Sequence, residues 1–190
     1  MTIPAGTYTV DPAHSDVAFT VRHAGISKVR GKFERFEGQI VVAEDLASST
    51  VTVTIDAASI NTGDAGRDAH LRSADFWDAE NKPTWTFLST GVEGTEEEFT
   101  VTGDLTINEV TRPVALQAEF NGGVVDAFGA RRVGFSATTE ISRKDFGLTW
   151  NAAMETGGFL VGDKVKIELE VEATPTEAEA AETAEAEAQA

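Results

Sequence analysis

Apolar and polar residues alternate along most of this chain, and few segments show the 3.6-residue period of a helix. Residues 17–21, 51–55 and 165–171 each place an apolar side chain at every second position. Such alternation puts one set of side chains on each face of a β-strand. Many strands of this kind in one chain predict an all-β fold, an antiparallel up-and-down barrel that is closed or nearly closed.

Turn residues divide the pattern into about eight strands. Asn121 and Gly122 predict a tight hairpin, because both residues tolerate the positive φ that such a turn requires. Residues 65–76 lack the alternation, and Asp64 before them can act as an N-cap, so we expect a short helix there. Its end, at Phe76 and Trp77, is expected to pack on a barrel mouth. The predicted strands cover residues 8–23, 33–42, 50–60, 84–91, 99–108, 114–120, 131–143 and 164–173.

The interior of such a barrel is either filled by side chains or holds one apolar ligand. Small residues at Gly31, Ala57, Gly103, Ala118 and Ala137 either leave space inside or curve the sheet, and both interpretations remain open. The residues predicted to bind a ligand are Val17, Phe19, Val21, Phe33, Val53, Ile55, Phe76, Trp77, Trp85, Phe87, Val101, Leu105, Leu116, Phe120, Phe135, Ile141 and Trp150.

Composition narrows the function classes. The 190 residues favour one domain, and the absence of cysteine excludes disulfides and thiolate chemistry. The net charge of −17 argues against nucleic acid and anionic lipid surfaces as partners. Residues 174–190 are rich in Ala and Glu and predict a disordered acidic tail after a barrel domain over residues 1–173. With no leader and no apolar run of about 20 residues, we expect a cytoplasmic protein without membrane insertion.

The residues capable of chemistry are few and scattered. His14, His23 and His70 lack the paired spacing of zinc ligands, so we expect no metal site. Asp11, His14 and Ser15 resemble a hydrolase fragment, but no nucleophile elbow accompanies them, and turn capping is the favoured role. Arg143 and Asp145 are expected to pin a corner by an ion pair. The sequence therefore predicts no catalytic residues.

Several short motifs occur along the chain in a characteristic order and spacing. They include Tyr8-x-Val10-Asp11-x-x-His14-Ser15, Val29-x-Gly31-x-Phe33, Gly66-Arg67-Asp68-x-His70-Leu71-Arg72-Ser73, Pro83-x-Trp85-x-Phe87 and Arg143-x-Asp145-Phe146-Gly147. Taken together, these motifs resemble the YceI-like family of polyisoprenoid-binding, lipocalin-like proteins. The family often has His-Gly where this chain has Asn108-Glu109, and many members carry an export leader.

The resemblance implies an elongated, lipocalin-like barrel that binds, carries or stores a polyisoprenoid or isoprenoid-quinone-like lipid, with no other cofactor, and a homodimer. His70 and Arg72 are candidate contacts for a ligand head group. Two alternatives remain open: a ligand-free interaction module that uses the acidic tail, and an enzyme that acts on a lipid through His14, His70 or Arg72.

Overall fold

Alternating side chains produce eight long antiparallel strands that close into a barrel, which confirms the predicted fold class. The computed structural model describes residues 2–127, 129–155 and 157–176. No helix in these ranges is long and apolar enough to cross a membrane. The elements are β1 (Gly6–Val10), β2 (Asp16–His23), β3 (Ser27–Phe33), β4 (Phe36–Val42), β5 (Thr50–Asp56), β6 (Ile60–Asn61), α1 (Ala65–Arg72), β7 (Thr84–Gly94), β8 (Glu98–Ile107), β9 (Val110–Val125), β10 (Arg131–Ser142) and β11 (Val161–Pro175).

Three of the eight long strands are interrupted. β1 and β2 both pair with β11, β4 pairs with β1, and β3 pairs with β2. β1 and β2 are therefore the two halves of one long strand, and β3 and β4 are the two halves of the next. β5 and β6 form a third long strand, which a short 3-10 turn divides. The sequence predicts residues 8–23 and 50–60 as continuous strands, whereas the structure interrupts them at residues 11–15 and 57–59.

The hairpin predicted at Asn121 and Gly122 is wrong. Both residues lie inside β9, where Phe120 pairs with Phe135 and Gly122 with Gly134, so that Asn121 is the extra residue of a β-bulge. Gly122 has a φ of 121°. A bulge and a tight turn both recruit residues that tolerate positive φ, so the same dipeptide marks either one. The chain reverses instead over residues 126–130, where the Asp126 amide donates to the Ala130 carbonyl.

The helix forms where it is expected, but it is shorter. The Asp64 side chain accepts a hydrogen bond from the Arg67 amide, as an N-cap does, and the helix ends at Arg72 rather than at residue 76. Trp77 is buried and its ring lies 5.2 Å from that of Trp85. The segment that follows α1 thus covers one end of the barrel, which we call the mouth end. The β2–β3 turn and residues 147–160 lie at the same end.

The opposite end, the closed end, holds a separate apolar cluster. Ile3 and Tyr8 from the N-terminal segment pack there with Val133 and Phe135, and the Tyr8 hydroxyl donates to the Pro4 carbonyl at 2.9 Å. Residues 174 and 175, which the sequence places in the tail, extend β11 and pair with β1 at this end. The tail residues 177–190 lie outside the described residues, and their disorder stays a prediction.

Gly31 and Gly103 make room for aromatic rings inside the barrel. A Cβ atom at Gly103 would lie 2.6 Å from both Phe87 Cε2 and the Leu88 carbonyl oxygen, and one at Gly31 would lie 2.6 Å from Phe19 Cζ. The space beside these two glycines is therefore occupied by neighbouring rings and is not open for a ligand.

We expect Gly103→Ala to lower the free energy of unfolding by about 1–3 kcal/mol, because the added methyl group overpacks the wall. Gly134→Ala is the matched control on β10, since its Cβ would have its closest contact at 3.5 Å, from Asn121 Cβ. Urea unfolding of both variants measures the difference. Equal stability of the two would contradict the packing argument.

Arg132 forms ion pairs with three carboxylates, close to the strand pairing between β1 and β11 that closes the barrel. Its guanidinium donates to Asp11 Oδ2 at 2.8 Å, to Asp126 Oδ2 at 2.9 Å, and to Glu172. The bond from Arg132, and next the bond from His14, lower the pKa of Asp11 from 3.8 to about 2. This network ties the residue after β1 to β10 and β11.

The Asp11 shift predicts a pH dependence of stability. The folded protein binds this proton less tightly than the unfolded chain, so the contribution is complete above about pH 4 and is lost as the pH falls to about 2. Arg132→Gln should remove most of this slope. Urea unfolding across that range tests it, with Lys32→Gln, which breaks the exposed pair to Asp16, as the control. An unchanged slope in Arg132→Gln would contradict the assignment.

Candidate ligand-binding cavity

The inward faces of the strands enclose an apolar cavity of about 270 Å³. Its size lies near the lower end of the roughly 300–1,000 Å³ typical of small-molecule sites. Apart from Gly38, Thr139 and Arg143, every residue that lines it is apolar. The interior is therefore not fully packed, and its wall is almost entirely apolar.

The cavity is long rather than round. On β10 alone the lining residues run from Phe135 to Ile141, about 20 Å of strand at roughly 3.3 Å per residue. With a strand tilt of about 40°, this spans about 15 Å along the barrel axis. Leu71 and Val161 extend the lining to the mouth end. An elongated apolar space of this kind matches a chain-like molecule better than a compact one.

Most of the predicted ligand-binding residues lie on the wall of the cavity. Fifteen of the seventeen predicted ligand-binding residues line the cavity, so strand alternation was a sound guide to the inward face. These are Val17, Phe19, Val21, Phe33, Val53, Ile55, Phe76, Trp77, Trp85, Phe87, Val101, Leu105, Leu116, Phe135 and Ile141.

The two remaining predicted residues lie outside the lining. Phe120 faces inward but packs behind Phe135, with ring centroids 5.4 Å apart, as part of the closed end. Trp150 is half-buried at the mouth end, where its ring lies 5.1 Å from Phe76 and 4.7 Å from His70. It thus covers the outer side of Phe76, which does line the cavity.

The two candidate head-group contacts are engaged elsewhere. Arg72 donates from Nε to the Ala58 carbonyl and from Nη2 to the Ile60 carbonyl, at 2.8 and 2.9 Å, and so fastens α1 to the β5–β6 corner. His70 Nε2 lies 2.9 Å from Asp75 Oδ2. Neither side chain lines the cavity.

Trp85 carries a buried indole N–H with no hydrogen-bond acceptor. Its ring meets Trp77 and Phe33 edge to face, with centroid distances of 5.2 and 5.0 Å. The aromatic cluster therefore forms a rigid apolar wall at the mouth end of the cavity.

The most consequential residue that the sequence did not assign correctly is Arg143. It is 4% exposed, and its guanidinium donates to the backbone carbonyls of Leu148, Trp150, Val161 and Gly162. Its carboxylate neighbour is Asp163, at 3.5 Å, and not the predicted Asp145, which is exposed. Burial lowers the pKa of Arg143. The side chain thus holds the two ends of the segment between β10 and β11 against the cavity.

Alternation also missed lining residues outside the strands it described. Leu71 on α1 and Leu148 after the 3-10 turn both line the cavity, as does Val161, which precedes the predicted start of the last strand. An apolar residue isolated in a helix or loop carries no period that indicates its direction. Its contribution depends on where the tertiary fold places the segment.

Among the described residues, the three side chains considered for chemistry, His14, His70 and Arg72, have separate sets of partners. His14 lies beside Asp11 and Glu172, and the possible ligand atoms of these three lie within 4.8 Å of one another. Arg132 Nη1 already donates to both carboxylates, so a metal ion there would have to displace a charge-assisted bond. His70 lies at the mouth end beside Trp150.

Comparisons with known proteins agree with this architecture. Protein YceI of Escherichia coli O157:H7 is 42% identical over 147 residues, which cover 76% of this chain and 77% of that protein. The crystal structure of Burkholderia cenocepacia BcnA has a TM-score of 0.75 at 24% identity, over 86% of this chain and 98% of the other. A polyisoprenoid binding domain from Saccharophagus degradans has a TM-score of 0.66 at 16% identity, over 89% and 98%. The YceI-like domain family matches residues 8–173, and the chain belongs to that family.

Proposed function

We propose that the protein binds a long apolar molecule, a polyisoprenoid or isoprenoid-quinone-like lipid, inside the barrel. The observation that carries this proposal is the elongated cavity with an almost entirely apolar lining. The description of the S. degradans neighbour as a polyisoprenoid binding domain supports it.

Burial supplies the affinity. Each methylene group removed from water contributes about 0.8 kcal/mol, so a chain of several isoprene units offsets the cost of association without polar contacts. Selectivity then depends on the length and width of the cavity rather than on a recognised head group. The positions of His70 and Arg72 outside the lining accord with this mode of binding.

Native mass spectrometry of the purified protein, followed by organic extraction and lipid analysis, tests the proposal. We expect a stoichiometric adduct whose mass matches an isoprenoid lipid. A clean unliganded mass, with no uptake of added isoprenoids, would contradict the proposal and favour the interaction module. The cytoplasmic location and the homodimer stay predictions, which fractionation of cells and analytical ultracentrifugation can test.

A further inference from the structure

The turn between β2 and β3 carries an exposed surface of unusual composition at the mouth end. Ile26 at its tip is 87% exposed, and Phe159, before β11, is 65% exposed. Arg22, Lys28 and Arg30 flank them on the same hairpin and are exposed. We call these five residues the hairpin surface. The hairpin surface therefore presents two large apolar side chains to solvent together with three exposed cations.

The three cations lack the neighbours that would stabilise them. Arg22 lies directly opposite Lys28 in the β2–β3 ladder, an arrangement of like charges that destabilises a sheet. Within the described part of the chain, no carboxylate forms an ion pair with either, and Arg30 is attracted only at longer range by Glu168, which itself pairs with Lys166. The nearby Asp163 forms an ion pair with Lys144 at 2.7 Å. Glu155, in the segment between β10 and β11, is an exposed acidic residue.

This concentration of unpaired positive charge contrasts with the rest of the chain. The protein has 32 acidic residues against 15 Lys and Arg, yet the hairpin surface gathers three of those cations around a protruding apolar tip. At physiological ionic strength, charges more than about 8 Å away are largely screened. The net charge of −17 therefore does not prevent a local attraction to an anionic surface.

The hairpin surface also adjoins the cavity. The Ala24 amide donates to the Leu160 carbonyl at 2.7 Å, and His23 pairs with Val161. Val21 and Val161 line the cavity, so the β2–β3 turn and the segment of Phe159 border the same end of it. The closed end is filled by the cluster of Ile3, Tyr8 and Phe135.

We propose that the hairpin surface docks the mouth end of the barrel on an anionic lipid bilayer. Ile26 and Phe159 insert among the acyl chains at the boundary, while Arg22, Lys28 and Arg30 lie at the level of the anionic headgroups. This goes beyond ligand binding, because it assigns a surface and a partner. It gives a water-insoluble molecule a route between membrane and cavity that avoids bulk water.

Co-sedimentation of the full chain with vesicles tests the proposal. We expect binding to vesicles of equimolar phosphatidylcholine and phosphatidylglycerol, weaker binding to phosphatidylcholine alone, and a loss of binding as salt is added. Ile26→Ser/Phe159→Ser and Arg22→Gln/Lys28→Gln/Arg30→Gln should each weaken binding by about tenfold or more. Val124→Ser/Val125→Ser at the closed end is the matched control, since both valines are 65% exposed, and it should bind as the wild type does.

Two results would overturn the docking proposal: no sedimentation of the wild type with either vesicle, or equal affinity of the hairpin variants and the control. Circular dichroism shows whether each variant is folded, and the substituted side chains are all exposed. Isoprenoid uptake from detergent solution is measured separately. Uptake without vesicle binding contradicts docking alone, whereas vesicle binding without uptake supports docking and contradicts the proposed cargo.

Discussion

Replacing Ala137 with Phe should abolish the uptake of a chain-like apolar ligand while leaving the barrel folded. Ala137 on β10 pairs with Ala118 on β9, and both line the cavity. Because these two small side chains lie side by side on the wall and border the cavity, a ring at either position enters the space that the ligand needs. Excluding about four methylene groups removes about 3 kcal/mol of binding free energy, which corresponds to about a hundredfold loss of affinity.

Ala115→Phe is the control for this substitution. Ala115 lies on the neighbouring strand β9, three residues before Ala118, and it is exposed on the outer face. The two variants add the same ring to opposite faces of the wall. Titration with a fluorescent isoprenoid, together with urea unfolding, separates loss of binding from loss of fold. If Ala137→Phe binds as tightly as Ala115→Phe, the cavity is not the binding site.

The wall of the cavity was largely predictable because alternation determines which face a strand residue occupies. Phe19, Phe87 and Val101 needed only a period of two and a closed sheet to be assigned to the interior. Phe120 shows the limit of that argument. Its side chain points to the inside of the barrel, as the period of two predicts. The period does not give a residue's position along the barrel axis, however, and an aromatic cluster at the closed end separates Phe120 from the cavity.

The mouth end was less predictable, because its side chains come from a helix, turns and loops. Trp150 is among the residues predicted to bind a ligand, and it covers Phe76 rather than lining the cavity. In the Asn121-Gly122 dipeptide, Gly122 has a positive φ, but it lies beside a β-bulge and not in the predicted hairpin turn. In both cases the local chemistry allows two outcomes, and only the packing of distant segments decides between them.

Arg143 is the clearest case of a role that arises from tertiary structure, and its loss should have the largest effect on stability. Arg143→Met is expected to lower the free energy of unfolding by about 3–5 kcal/mol. The substitution leaves the carbonyls of Leu148 and Trp150 without their donor and removes one of the two cations beside Asp163, which keeps its ion pair with Lys144. Buried acceptors that lose their donors carry the full cost of desolvation.

Arg143→Lys distinguishes charge from geometry. An ammonium group preserves the positive charge beside Asp163, but it lacks the planar fork that reaches carbonyls on both sides of the segment. We expect most of the stability loss to persist in Arg143→Lys, measured by urea unfolding, and amide hydrogen exchange to accelerate at Val161, whose amide bonds the Asn151 side chain of the same segment. Full rescue by Lys would show that the ion pair, and not the bonds to the carbonyls, holds the mouth end together. Since the same segment carries Leu148 against the cavity and Phe159 on the hairpin surface, its release should also speed ligand dissociation.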